Sequence, residues 1–254
     1  TNRPLLAVIL ANFFNSFKSV GGSSESYFWL NNTGSLLNQT ICGLFTGIPN
    51  YIMVPVAAKM VKKWGARATS IIAGLFGFFA YMTLFFVGFH PFGQTFKDHY
   101  IFNLIWVIFG LTICGLPNKI LNVSGQIVTA EALDYMEWKH GLRNEALVTT
   151  VQGYFGKLAT SVTGWLSGMV LTWINYVPLT DSLGNAIPQT DPTMLNGIWA
   201  VFCILPALAR GLYGISFIIY PIHGDLQQQM IVELAEKRAQ RLAEQDAKDH
   251  QANA

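Results

Sequence analysis

Residues 130–145 read Ala-Glu-Ala-Leu-Asp-Tyr-Met-Glu-Trp-Lys-His-Gly-Leu-Arg-Asn-Glu, so that Glu131, Asp134, Glu137, Lys139, His140, Arg143 and Glu145 stand between two long apolar stretches. Charges this dense cannot enter hydrocarbon, so the segment is expected to lie in water or to pair with another loop at a membrane surface. Interleaved acids and bases at a helix junction can make and break ion pairs, which is the chemistry of a gate. Covalent chemistry finds little support. The histidines His90, His99, His140, His223 and His250 are scattered over loops and tail. No HExxH, metal-ligand spacing, phosphate loop or Ser-His-Asp arrangement accompanies them. The reading is therefore not an enzyme, with no catalytic residue and no metal site.

A second group of polar residues lies within the apolar stretches. Lys18, Lys119, Lys157 and Arg210 are cations there, and each costs about 2.5 to 3.5 kcal/mol at the centre of a membrane helix. Glu25 is the acid at comparable depth, so the chain expects counter-charges from elsewhere. Lys18 belongs to a stripe in which Asn12, Asn15, Ser19, Gly22 and Ser26 recur at spacings of three and four and share one helix face. Asn118, Asn122, Gln126 and Thr129 repeat in the same way after Pro117, with Lys119 one step around the helix. Thr150, Gly153, Lys157, Thr160 and Gly164 form a third line edged by Gln152, and Gln39, Thr46 and Asn50 add a fourth. Polar faces on several helices imply a shared wet centre. Asn15, Lys18, Lys119, Asn122, Gln126 and Gln152 are the candidate cavity or substrate-binding residues. Ser, Thr and Gly lines also serve as plain helix-packing surfaces. For Arg210, which lacks an evident polar stripe, a structural pair with a neighbouring helix is expected.

The elements that carry these residues follow from composition. Hydrophobic residues make up 52% of the chain and charged residues 12%, about half the usual charged share of about 25%. Such a chain cannot cover itself with charge, so a bilayer must cover the rest. Stretches of about 20 mostly apolar residues, the length of a span, fall at 4–30, 35–59, 67–89, 100–128, 146–172 and 197–220. They are apolar nearly all round and lack alternation, which favours helices over a barrel. Arg3, Lys59, Lys62, Lys63, Arg67, Lys139, Arg143, Lys237, Arg238, Arg241 and Lys248 gather on one side, whereas the opposite loops Asn31–Gly34, His90–His99 and Trp173–Asn196 hold Lys97 alone. The positive-inside rule then puts both termini in the cytoplasm. After Tyr220-Pro221 the chain turns polar, with Met230, Ile231, Leu234 and Leu242 at roughly helical spacing, so residues 221–254 are expected as a cytoplasmic helix against the membrane surface or a docking element.

The net charge of +2 and the lack of a separate basic block argue against nucleic acid as a partner. Cys42, Cys114 and Cys203 fall inside apolar stretches without paired spacing and read as small core hydrophobes. The chain begins at Thr1 with no signal peptide, and is expected to begin mid-protein.

The six spans, the basic turn at Lys59–Arg67 and the motif at 130–145 resemble the glycoside-pentoside-hexuronide:cation symporters, the melibiose permease group of the major facilitator superfamily. That family's pattern Ala-Asp-x-x-Asp-Tyr-x-Glu-Trp/Tyr-Lys-x-x-x-Arg-x-Glu is matched by Ala130, Asp134, Tyr135, Glu137, Trp138, Lys139, Arg143 and Glu145. Asn2-Arg3-Pro4-Leu5-Leu6, Lys157 and Tyr220-Pro221 match further. Glu131 replaces the first Asp of the motif, and Asn122 stands where the group often has an aromatic residue.

The resemblance implies an all-α membrane protein with six transmembrane helices over 1–220, the carboxy-terminal half (a 3+3 repeat) of a twelve-helix transporter. The function it implies is cation-coupled symport of a sugar, glycoside or hexuronide by alternating access in the cell membrane. There would be no cofactor beyond co-transported Na+ or H+. The partners would be the sugar, membrane lipid and an absent amino-terminal half that carries the missing acids. By the same resemblance Lys157 serves charge balance and coupling. Asp134, Glu137, Lys139, Arg143 and Glu145 form a cytoplasmic gate with loops of the other half, the alternative being that they only anchor helix ends. A carboxylate on the substrate is expected to meet Lys18 or Lys119. The competing class is a non-transporting six-helix scaffold or sensor.

Overall fold

The computed structural model describes residues 3–87, 99–141, 143–183 and 186–252. Asn2, Lys97 and most of the His90–His99 loop lie outside them. The helices are α1 (Arg3–Ser16), α2 (Lys18–Thr33), α3 (Leu37–Val87), α4 (Tyr100–His140), α5 (Glu145–Trp173), α6 (Pro192–Ser216) and α7 (Asp225–Ala252). Between α5 and α6 the two-residue strands β1 (Leu179–Thr180) and β2 (Ala186–Ile187) pair antiparallel, Leu179 opposite Ile187. That ribbon was not anticipated, because two residues per strand leave no alternation to read. It is held to the bundle where the Gln189 backbone N–H donates to Asn31 Oδ1 at 2.9 Å.

The expected first span is α1 and α2 end to end. At Phe17 the ladder tightens, the Phe17 N–H donating to Phe14 O and that of Val20 to Phe17 O, both at 3.1 Å. The second and third spans form the 51-residue α3, which bends at Gly65, where φ 80° and ψ 160° leave helical space. This divides it into 37–64 and 66–87 at the basic turn foreseen from sequence. Glycine is required there because φ is positive. Arg67 fastens the turn to the end of α6, Nε donating to Phe217 O at 3.1 Å and NH2 to Ile218 O at 2.9 Å.

Among the described residues Arg3–Thr33, Leu37–Val87, Tyr100–His140 and Pro192–Ser216 are long and apolar enough to cross a membrane. The 29-residue α5 has the length, but Thr, Ser, Gly and Lys dilute its apolarity. At 1.5 Å per residue the 41 residues of α4 extend about 60 Å, roughly twice a hydrocarbon core. Its last turns, including Asp134 and Glu137, therefore stand outside the bilayer, and the segment expected as a loop is helical through His140. Gly141, with φ 71°, ends it. Asn144 Oδ1 then caps α5 by accepting from the Leu147 N–H at 2.9 Å, and Asp191 caps α6 with Pro192 in its first turn.

Two apolar clusters hold the bundle at its two ends. One joins Val8, Ala57, Leu121, Val128, Tyr213, Phe217 and Tyr220 with Met230 and Leu234 of α7; the other joins Phe28, Trp29, Leu84, Cys114, Trp199 and Phe202. Cys42, Cys114 and Cys203 are buried free thiols. Small-residue packing brings α3 against α6 at glycines outside the lines singled out from the sequence: a Cβ on Gly74 would come 2.7 Å from Gly214 Cα, so the backbones touch. Buried Ser70 donates to Ser124 Oγ at 2.9 Å and joins α3 to α4. Gly74→Val is expected to cost about 1–3 kcal/mol through overpacking. It should visibly lower the melting temperature of the detergent-purified protein followed by circular dichroism; an unchanged transition would contradict the backbone contact.

Candidate functional site

Between the two apolar clusters lie two adjoining polar cavities. In the first, of about 370 Å³, Lys18, Glu25, Asn118 and Arg210 meet apolar walls from Tyr81 and Phe202. The second, about 500 Å³, is lined by Asn12, Asn15, Asn122, Gln126, Thr129 and Gln152 with Tyr213. Arg210 NH1 donates to Asn15 Oδ1 at 2.8 Å, so one hydrogen bond links a wall of each cavity. The break at Phe17 lies between Asn15, which faces the second cavity, and Lys18, which faces the first.

Close helix approach sets these positions. A Cβ on Gly21 would fall 2.5 Å from Pro206 Cγ, and one on Gly77 would fall 3.1 Å from Arg210 Cγ. The first contact draws Lys18 of α2 toward α6, and the second gives the stem of Arg210 a slot on α3. Arg210 is only 2% exposed. A Cβ on Gly115 would fall 2.6 Å from Asn50 Nδ2, so the amide that follows Pro49 in α3 fills a notch in α4. Asn12, Ser19, Gly22, Asn122 and Gln126 are exposed on this chain, so the cavities open at its surface.

Of the residues singled out from the sequence, Asn15, Asn122, Gln126 and Gln152 meet in the second cavity, and Lys18 lines the first. Lys119 departs from expectation. Its Nζ sits 4.6 Å from the centroid of the Tyr51 ring, because one step around α4 from the polar face points it at α3. Lys157 is exposed on α5 and lines neither cavity. Arg210 was expected only as a structural pair, and proves to be both that and a cavity wall. Its signal was weak because Asn15, Lys18, Glu25 and Asn118, the polar groups around it that mark the cavity, come from α1, α2 and α4.

The charged motif also finds partners other than those expected. Arg143 NH1 bonds Asp134 Oδ1 at 3.0 Å and Arg143 Nε bonds Glu145 Oε1 at 2.8 Å. The remaining bases come from α7 of this chain and not from another loop: Arg238 NH2 bonds Asp134 Oδ1 at 2.8 Å and also Glu137, and Arg241 NH1 lies 3.5 Å from Glu137 Oε1. Trp138 Nε1 donates to Glu233 Oε2 at 2.6 Å, while Tyr220 and Gln227 donate to the two oxygens of Glu131 at 2.8 and 2.7 Å. Lys139 falls outside the ion pairs and reaches Tyr135 OH at 3.3 Å. Spacing could not show this, since the bases stand about 100 residues downstream in a tail whose composition reads as solvated. The hydrogen bond from Arg238, with Arg143 and Arg241 adding to it, holds the buried Glu137 carboxyl below the usual carboxylate range. The same bonds raise Arg238 above its ordinary value.

A family model described as MFS/sugar transport protein matches residues 1–224. The chain belongs to that family. The family is one of transporters, and the chain is an all-α half-domain of a multi-pass membrane protein. Among its relatives, the uncharacterized symporter YjmB of Bacillus subtilis (strain 168) is 28% identical over 240 residues, 93% of this chain and 48% of that protein. The isoprimeverose transporter of Lactiplantibacillus pentosus is 29% identical over 120 residues, 46% of this chain and 23% of that one. The glucuronide carrier protein homolog of Escherichia coli (strain K12) is 22% identical over 247 residues, again 93% of this chain and 48% of the relative. The chain thus spans about half the length of the relatives it matches along most of its own.

The α4–α7 junction responds to pH with a defined sign. Because Glu137 titrates lower folded than unfolded, its contribution is full above the ordinary carboxylate range and is lost as pH falls through the depressed folded value. With Arg238 43% exposed, screening brings the loss in Glu137→Gln to about 1–2 kcal/mol. Spin labels at His140→Cys and Glu244→Cys should give a narrow distance distribution at neutral pH. That distribution is expected to broaden in acid, and to be broad already at neutral pH in Glu137→Gln. A distribution insensitive to both changes would contradict the clamp.

Proposed function

We propose that this chain forms the carboxy-terminal half of a secondary transporter that carries a sugar or glycoside at the midplane by alternating access, coupled to Na+ or H+. The observation that carries the reading is the pair of open polar cavities between two apolar clusters, in a chain of a sugar-transport family. Membrane transporters place substrates in such wet centres, near breaks in helices, and α1–α2 is broken at Phe17 between the two cavities.

The amide-lined cavity suits hydroxyls. Asn12, Asn15, Asn122, Gln126 and Gln152 offer donors and acceptors without net charge, and buried Gln152 Nε2 finds no hydrogen-bond partner among the described residues. Residues 1–220 would form the membrane half and 221–254 a cytoplasmic tail, with both termini inside. The companion half would cover the face that α5 leaves open, where Thr150, Gly153, Lys157, Thr160 and Gly164 are all exposed. Lys157 would reach the coupling acids there, which accounts for its absence from both cavities. The α4–α7 ion-pair cluster would close the cytoplasmic path, with Asp134 and Glu137 exchanging partners as the halves rock. The names of the relatives, isoprimeverose transporter and glucuronide carrier homolog, support a pentose-containing glycoside or a hexuronide as cargo.

The test is glycoside uptake by the full-length protein in proteoliposomes under an imposed Na+ or H+ gradient. Gradient-driven accumulation is expected, with Gln126→Ala raising KM about tenfold by removing one amide from a buried polar contact. Uptake unaffected by either gradient would remove cation coupling. Unchanged KM in Gln126→Ala together with Asn122→Ala would remove this cavity as the sugar site.

A further inference from the structure

Away from the middle of the bundle, a third cavity of about 410 Å³ opens beside the basic turn of α3. Trp64, Arg67 and Ile71 line it from α3, and Ile222, His223 and Gln227 line it from the segment that leads into α7. Gly65, where α3 bends, is part of the same wall. No carboxylate lines this cavity. Glu131 stands behind the Gln227 amide, which donates to it at 2.7 Å, and exposed Asp225 lies outside the lining. Among the described residues no ion pair engages Lys59, Lys63 or Arg67, since the ion pairs all lie at the α4–α7 junction.

The groups left over here match a phosphodiester that carries hydroxyls. Arg67 uses Nε and NH2 for Phe217 O and Ile218 O, which fixes the guanidinium and leaves NH1 for an anion. Lys63 Nζ lies 5.8 Å from the centroid of the Trp64 ring, so the attraction of a cation for an aromatic face holds it at the edge of the cavity. Lys59 stands one turn earlier on the same face of α3. His223 Nδ1 meets Pro221 O at 2.9 Å; that carbonyl can only accept, so Nδ1 holds the hydrogen and Nε2 is left as an acceptor. With its nitrogen committed to Glu131, Gln227 likewise keeps its carbonyl oxygen for a ligand.

The surroundings identify where such a phosphodiester comes from. Trp64 is 47% exposed, and tryptophan is the residue that settles at the headgroup level of a bilayer. Exposed Ile72, Leu75, Ile218 and Ile219 stand beside the cavity and suit acyl chains. Cations on one side of a cavity and bare aliphatic surface on the other make a lipid headgroup site between membrane helices. We propose that this cavity seats the headgroup of an acidic phospholipid of the phosphatidylglycerol kind. Arg67 and Lys63 hold the phosphate, with Lys59 adding charge, while His223 Nε2 and Gln227 Oε1 accept from the glycerol hydroxyls. The lipid then bridges the turn of α3 and the start of the tail helix. This site is separate from both central cavities and stands whatever cargo they carry.

Native mass spectrometry of the full-length protein in detergent tests this, with titration of dioleoyl phosphatidylglycerol, dioleoyl phosphatidylcholine, dioleoyl phosphatidylethanol and glycerol 3-phosphate. The wild type is expected to retain one phosphatidylglycerol about tenfold or more tightly than phosphatidylcholine. Phosphatidylethanol, which has the same charge and no hydroxyl, should bind about fivefold more weakly than phosphatidylglycerol. Lys59→Gln together with Lys63→Gln should weaken phosphatidylglycerol about 25-fold, at roughly fivefold per cation. Unchanged retention of phosphatidylcholine shows that this variant is folded. Arg3→Gln removes a cation outside the cavity and should change neither lipid. Equal wild-type retention of phosphatidylglycerol and phosphatidylcholine would overturn the inference. So would a loss in Arg3→Gln as large as in the lysine variant, which would mean diffuse attraction to the whole basic surface. Glycerol 3-phosphate held as tightly as the lipid would make this a site for a soluble anion instead, and equal binding of phosphatidylethanol would overturn the glycerol assignment.

Discussion

A guanidinium and an ammonium in the middle of membrane helices govern this structure. Hydrocarbon will not hold Lys18 and Arg210 unless polar groups or a wet space surround them, and the bundle supplies both. Asn15 accepts from Arg210, Gly77 makes room for its stem and Gly21 lets α6 come close to Lys18. The two apolar clusters then sit above and below this layer. Stability is thereby concentrated at the two ends of the bundle, and the middle is left open and polar, which is the arrangement a transport site needs.

The second organising interaction lies outside the hydrocarbon. Glu137 is buried among three guanidiniums, two of them from the tail helix. Burying one carboxylate in that setting is favourable only while its partners stay in place, so α7 is tied to the end of α4 by charge as well as by Met230 and Leu234. The amphipathic tail is therefore part of the folded body in this chain. The two polar layers share one logic, with few charges each held by named partners, but they differ in the groups left over. The α4–α7 junction pairs Asp134 and Glu137 with bases of this chain, whereas in the cavity layer Arg210 Nε, Asn118 Oδ1 and Gln152 Nε2 find no hydrogen-bond partner among the described residues.

Much of the fold could be read in advance where the signal was local. The helix positions, the turn near Gly65 and the stripe Asn12–Asn15–Ser19–Gly22 all follow from hydrophobic length and helical period, and the structure shows each of them. Lys119 misled because periodicity is coarse: one position around a helix, about 100° of rotation, turned it from the cavity to Tyr51. Arg210 was underrated because the residues that surround it belong to other helices. The charged motif at 130–145 stood out in the sequence but its partners there did not, since Arg238 and Arg241 are distant in sequence and sit in a segment whose composition suggests a solvated helix.

What the sequence determined by itself was the solvent each segment requires: long apolar runs that need lipid, a charged motif that needs water, and cations that need company. Those demands are set by side-chain transfer energies and helix period, and need no knowledge of neighbours. Tertiary structure alone decided which company each charge keeps. Helix crossings at Gly21, Gly74 and Gly77 brought Lys18 to Arg210, and the fold of the tail brought Arg238 to Glu137. Such pairings depend on distances between segments far apart in the chain, which only three-dimensional packing defines.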